Sequence, residues 1–180
     1  MEGVRLLRGR RLRRCHRLHF WLRRRGDDRL RRGLRLRHDW RKDSLGVGHG
    51  CWIGIAHAGW RGLVAPDGGV LAATVATLVG LGASPEHLRV EIGPSIGPCH
   101  YPVRNDVRDA VRRAVGDVAF IGDAVDLRRV AVHVLADLGV PAAAIATDSP
   151  CTVCAQDRFF SYRVDGANPP LAGMAWIALS

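Results

Sequence analysis

Apolar positions change their spacing several times along this chain of 180 residues. Trp52 to Ala56 is an unbroken apolar run of strand length, and His57 ends it abruptly. Leu71, Val75, Leu78 and Val79 then recur at helical spacing, which predicts a helix capped by Asp67 and running to about Leu81. Gly80 and Gly82 stop it, and Ser84-Pro85 opens a short helical turn. Leu88 to Ile92 alternates and predicts a strand, after which 93–103 is too rich in Gly and Pro for either element. Asn105 reads as the cap of a helix carrying Val107, Val111, Ala114 and Val115, with Asp109 and Arg113 at the favourable i,i+4 spacing. Val118 to Ile121 predicts a short strand. Behind Asp126, the positions Leu127, Val130, Ala131, Val134, Leu135 and Leu138 keep strict helical spacing, and Gly139 and Pro141 supply the stop. Ala144–Thr147 and Met174–Leu179 read as strands, the second a buried closing one. Helices alternating with strands predict an α/β layered domain.

The formal charge of +10 changes the picture less than it first suggests, because it is not spread evenly. Residues 1–43 hold 17 of the 27 basic and 5 of the 17 acidic side chains, a net of +12, so the remainder carries −2. The division predicts an Arg-rich segment over 1–50, disordered or out of frame, and a globular domain over 51–180. The basic segment shows no sustained period, has few acids and hardly any serine, and contains Lys42 as its only lysine. It can be read as an arm that binds phosphate backbones, as a presequence, as a twin-arginine signal, or as GC-rich coding sequence translated out of frame. The presequence reading lacks serine and amphipathicity, and the signal reading lacks an apolar core. No stretch is long and apolar enough to cross a membrane.

Candidate chemistry centres on Ile53-Gly-Ile-Ala-His57-Ala-Gly-Trp60-Arg61-Gly62. An apolar strand that delivers His57 and Arg61 into a glycine-bracketed turn is a common way to present polar groups at a sheet edge, although a histidine there is more often a satisfied turn residue. Five cysteines, Cys15, Cys51, Cys99, Cys151 and Cys154, do not describe a disulfide framework and suit a reducing cytoplasm. The single Cys151-x-x-Cys154 pair has no second Cys-x-x-Cys or His-x-x-His beside it, and reads as structural or incidental thiols.

Taken together, His57-Ala-Gly-Trp-Arg-Gly62, Gly93-Pro-Ser-Ile-Gly-Pro-Cys99-His-Tyr101, the helix opening at Asp126-Leu127, Cys151-Thr152, Phe159-Phe-Ser-Tyr-Arg163 and Gly173-Met174-Ala175 resemble the laccase-domain family. Its members, once described as polyphenol oxidases, are regarded as purine nucleoside phosphorylases with adenosine deaminase activity. The resemblance covers about residues 53–179, the C-terminal half to two-thirds of a member. It implies a cytoplasmic α/β domain with a mixed β-sheet, flanking helices and an incomplete N-terminal side. It also implies a zinc site, copper in some members, built from two histidines and a cysteine with an open position for water. Such a metal would activate water for attack on C6 of adenine. Phosphate would attack C1′ of the ribose, held by arginines. His57 matches one metal ligand. Arg61 and Arg163 match arginines near the cleft, as contacts for phosphate or nucleoside, and Arg61 can equally be a clamp on its turn.

The departures are as specific. The family's other two ligands come from a Gln-Val-His-Gly and an Ala-Asp-Cys segment ahead of the histidine strand, and neither occurs in Met1 to Cys51. Cys99 belongs to the Gly-Pro-Cys loop and is not the family's metal cysteine. Val164 and Ala172 stand where the family carries arginines. Three readings follow: a nucleoside enzyme impaired as written, a family remnant without metal chemistry, or a nucleic-acid binder using the basic arm, the last being the weakest.

Overall fold

The computed structural model describes residues 5–8, 18–21, 52–67, 69–166 and 174–177. Strand β3 (Trp52–Ile55) occupies the apolar run ahead of His57, as its length predicts. It pairs antiparallel with β1 (Arg5–Arg8), and β2 (Leu18–Trp21) pairs antiparallel with β8 (Met174–Ile177). These first two strands fall in the basic segment, where the lack of a period predicted no regular element. Both coincide with short breaks in the arginine runs, Leu6-Leu7 and Leu18-His-Phe-Trp. The remainder of 1–50, and with it most of the expectation of disorder, lies outside the described residues.

The α/β class holds, with strand pairs of both orientations. Besides the two antiparallel pairs, β4 (Val90–Glu91) runs parallel to β7 (Ile145–Ala146), and β5 (Phe120–Ile121) forms a hairpin with β6 (Ala124–Val125). Among the described residues the strands pair two by two, not as one continuous sheet. Strand β4 is shorter than the alternation of Leu88–Ile92 predicted, although Ile92 N–H extends the ladder to the Ala146 carbonyl at 3.0 Å. Strand β6 was not legible, because Gly122-Asp123 between two-residue strands leaves no room for a period; Gly122 turns the hairpin at φ 59°.

Helix α4 (Leu127–Asp137) organises the interior. Its cap is Asp126, whose carboxylate accepts the Arg128 N–H at 3.0 Å. Val130 and Ala131 enter one core with Leu63, Val107, Val111, Val115, Ala119 and Val125, while Leu135 enters a second with Val75, Val140 and Ile145. Helix α3 (Asn105–Val115) buries Val107, Val111 and Val115, one residue per turn, and Ala114 is exposed, contrary to the expected face. Asn105 is the first helical residue and Arg104 the cap position. The ion pairs formed here are Arg104 to Asp106 at 3.3 Å, Arg108 to Asp123 at 3.6 Å and Arg112 to Asp117 at 2.9 Å, and not Asp109 to Arg113. Each fully buried valine at these contacts, such as Val111 and Val130, stabilises the fold by about 2 kcal/mol.

Helix α2 (Gly69–Gly80) buries Val70, Val75 and Leu78 and leaves Val79 exposed. It begins after Asp67, whose carboxylate accepts the Gly69 N–H at 3.0 Å. Gly69 has φ 58°, and a Cβ there would lie 1.9 Å from the Gly62 carbonyl oxygen. Only glycine fits that contact, so the start of α2 is locked onto the turn after His57 by backbone against backbone.

Candidate functional site

The turn that carries the predicted site residues is built in four steps. Strand β3 ends at Ile55, 56–59 run without regular structure, and one helical turn, α1 (Trp60–Leu63), closes on the Gly59 carbonyl through Leu63 N–H at 3.0 Å. Leu63 is buried, and Ala58 and Trp60 pack against the first core, so this backbone is fixed from beneath. His57 and Arg61 are left exposed. The imidazole leans over Gly59, close enough that a Cβ there would meet Nε2 at 3.6 Å. The Arg61 guanidinium stacks on the Trp60 ring at 4.5 Å.

Arg163 arrives from α5 (Tyr162–Asp165), one turn whose first residue follows Ser161. Its Nη2 donates to the Pro102 carbonyl, and its guanidinium lies 5.3 Å from the centre of the Tyr101 ring. Tyr101 is half-buried against the first core. Burial pushes its phenol above the ordinary value, while Arg163 and Arg61 both pull it down. Arg163 therefore stacks on this tyrosine, and the charge of Arg61 also favours its phenolate. The sequence reading singled out both arginines and missed Tyr101 beside Arg163.

Among the described residues His57 belongs to no group of three or more His, Cys, Asp or Glu side chains placed to hold an ion. The described residues therefore do not assemble the two-histidine, one-cysteine centre implied by the resemblance. A cavity of about 500 Å³ opens beside α4 along Asp126, Arg128, Val132, His133 and Thr147, and none of His57, Arg61 and Arg163 lines it.

A different cluster does form. The turn Pro98–His100 and the segment after β7 bring Cys99, His100, Cys151 and Cys154 together, with one ligand atom from each lying within 4.8 Å of the others. Cys99 Sγ is 3.6 Å from Cys154 Sγ, and His100 Nδ1 is 3.3, 3.8 and 3.5 Å from the sulfurs of Cys99, Cys151 and Cys154. All three thiols are free. Burial and the neighbouring sulfurs push Cys99 up to about 11. Burial pushes Cys151 the same way, but hydrogen bonds from the amides of Cys154, Gly97 and Val153 and from His100 outweigh it and lower that thiol to about 6. A cluster of this donor set can hold a metal ion.

The reading of Cys151 and Cys154 as structural or incidental thiols did not anticipate this arrangement because the partners are adjacent residues, Cys99-His100, about 50 positions earlier. The signal was the Gly97-Pro98-Cys99-His100 turn, which no familiar finger spacing picks out. Cross-loop bonds bring the two segments together. Ser149 Oγ donates to the Gly93 carbonyl at 2.9 Å, Thr152 N–H to the Ser95 carbonyl at 3.1 Å, and Gly97 N–H to Cys151 Sγ at 3.2 Å.

Residues 47–178 match the family model of the multi-copper polyphenol oxidoreductase laccases. The chain belongs to that family. It is 40% identical over 135 residues to a purine nucleoside phosphorylase of Xylella fastidiosa, an alignment covering 71% of this chain and 50% of the relative. It is 33% identical over 124 residues to adenosine deaminase RL5 of an unknown prokaryotic organism, covering 64% and 46%. Among solved structures, a Bacillus licheniformis hypothetical protein YfiH superposes with a TM-score of 0.57 at 35% identity, over 64% of this chain and 46% of that one. This laccase-family chain thus spans about half the length of the curated relatives it matches. Among its described residues, no helix is long and apolar enough to cross a membrane.

Proposed function

We propose that this chain carries part of the substrate face of a purine nucleoside phosphorylase-type enzyme. The observation that carries the reading is Arg163 stacked 5.3 Å from the Tyr101 ring, with the charge of Arg61 acting on the same phenol. Two guanidinium charges acting on one polar, half-buried side chain make a place for an oxyanion, and a planar fork suits phosphate better than a point charge does. In the reaction, a phosphate oxygen attacks C1′ of the ribose, the bond to the purine nitrogen breaks, and the base leaves with that electron pair. Arg61 and Arg163 hold the phosphate, and His57 stands at the same turn as a polar contact. Relatives named for purine nucleoside phosphorolysis and for adenosine deamination support this choice of substrates. Cytoplasmic placement belongs to the same proposal and rests on five sparse cysteines whose spacing describes no disulfide framework.

The chain as it stands is proposed to turn nucleosides over slowly. Metal-dependent deamination would need zinc or copper at His57. A lone imidazole holds such an ion weakly compared with a three-ligand site, and the Gln-Val-His-Gly and Ala-Asp-Cys segments do not occur in the sequence. The test joins the front half of a 40%-identical relative to residues 52–180 and measures inosine phosphorolysis with and without Arg61→Ala and Arg163→Ala. Turnover in the chimaera, with the phosphate KM raised by about 10- to 100-fold in each variant, supports the reading. Unchanged phosphate dependence in both variants overturns the arginine roles.

A further inference from the structure

We propose that Cys99, His100, Cys151 and Cys154 form a closed, structural metal site for zinc, separate from His57 and independent of the nucleoside reading. A zinc ion bound tetrahedrally at ordinary bond lengths sets two sulfurs about 3.8 Å apart and a sulfur–nitrogen pair about 3.6 Å apart. Four of the six separations here run from 3.3 to 3.8 Å, close to those values, and all four ligand atoms lie within 4.8 Å of one another. Three soft sulfurs and one imidazole select zinc over the hard cations, and four protein ligands leave no position for water or substrate. The site's role is therefore to hold structure.

What it holds follows from the chain. The ligands come from two turns about 50 residues apart, 98–100 and 151–154, so the ion closes a long loop between elements that share only a few hydrogen bonds. Gly97 sits between them, and a Cβ there would lie 3.1 Å from Cys151 Cβ and 3.3 Å from Cys99 Sγ. A side chain there would press the two turns apart by a few tenths of an ångström. Arg128 braces the same loop from α4, donating Nε to Ser95 Oγ at 3.2 Å and Nη2 to the Ser95 carbonyl at 3.3 Å. Tyr101 follows His100 directly, so fixing the ligands also fixes the ring on which Arg163 stacks. Cys99 and Cys154 are exposed, which leaves the ion a route of entry.

The test uses the full chain, purified under reducing conditions, stripped by chelator and titrated with cobalt(II) and then zinc. The expected result is one cobalt per chain with tetrahedral ligand-field bands and strong thiolate-to-cobalt charge transfer, displaced by zinc. Cys154→Ser and His100→Ala each weaken binding by more than about 100-fold, whereas His57→Ala leaves spectrum and stoichiometry unchanged. Circular dichroism of each variant separates loss of a ligand from loss of the fold. Cys15→Ser/Cys51→Ser together remove the remaining thiols and are expected to change nothing. Absence of a thiolate–cobalt spectrum in folded wild type overturns the proposal, as does a spectrum lost in His57→Ala or in the Cys15/Cys51 variant, or a Cys99–Cys154 disulfide that forms in place of metal uptake.

Discussion

The turn at His57 and the cluster at Cys99–Cys154 both offer residues that bind metals, and they are built in opposite ways. The first is made rigid by backbone: Gly69 against the Gly62 carbonyl, Leu63 in the core, Leu63 N–H on the Gly59 carbonyl. It presents one imidazole that belongs to no group of three or more metal-binding side chains among the described residues. The second rests on two turns joined by cross-loop hydrogen bonds, and it brings four ligand side chains within 4.8 Å of one another. A motif that looks functional because of its histidine therefore supplies the stable frame. The motif that looks incidental supplies the ligand set. Local rigidity and ligand completeness are separate properties, and a sequence displays the first more openly than the second.

Metal addition separates the two regions most strongly. An ion bound only by the folded state stabilises it by about 4 kcal/mol when its free concentration is 1,000 times the dissociation constant. Thermal unfolding with and without zinc is expected to show that gain in wild type and His57→Ala, and less than about 1.4 kcal/mol in Cys154→Ser. Next in size is Gly69→Ala. The left-handed φ and the collision with Gly62 together should cost about 3 kcal/mol, read from denaturant midpoints, while cobalt affinity in the fraction that remains folded stays unchanged. A loss of cobalt affinity equal to that of Cys154→Ser would show that the two regions are not separable.

Gly97→Ala reverses that pattern. Its Cβ pushes Cys151 away from Cys99, so cobalt affinity should fall by about 10-fold with a smaller change in the metal-free midpoint. The smallest expected effect is at Tyr101. Arginine charge favours the phenolate and lowers its pKa, so Arg163→Met should raise the Tyr101 pKa. The chain has two tyrosines, and titration of the phenolate absorbance in a Tyr162→Phe background isolates Tyr101. A downward shift would mean that Arg163 does not face the ring as its 5.3 Å stacking distance indicates.

Legibility in the sequence followed the same division. Strand β3, the start of α4 at Asp126 and its stop at Gly139 were readable because period and cap chemistry act over a few residues. The family resemblance was readable through the order of its motifs. The face of α3 was misjudged at Ala114, since alanine satisfies either environment, and the hairpin of β5 and β6 was too short to show a period. Strands β1 and β2 pair with distant partners, and nothing in their own composition announces β3 or β8. The ligand cluster was hidden for the same reason: its geometry depends on bonds between 93–97 and 149–152, which only the folded chain brings together.

X-ray absorption at the zinc edge of the full chain, loaded with one equivalent of the ion, tests the central claim most directly. The account predicts a first shell of three sulfurs and one nitrogen at tetrahedral distances, unchanged by His57→Ala. A shell of nitrogen and oxygen with at most one sulfur, altered by His57→Ala, would place the metal at the histidine turn and contradict it.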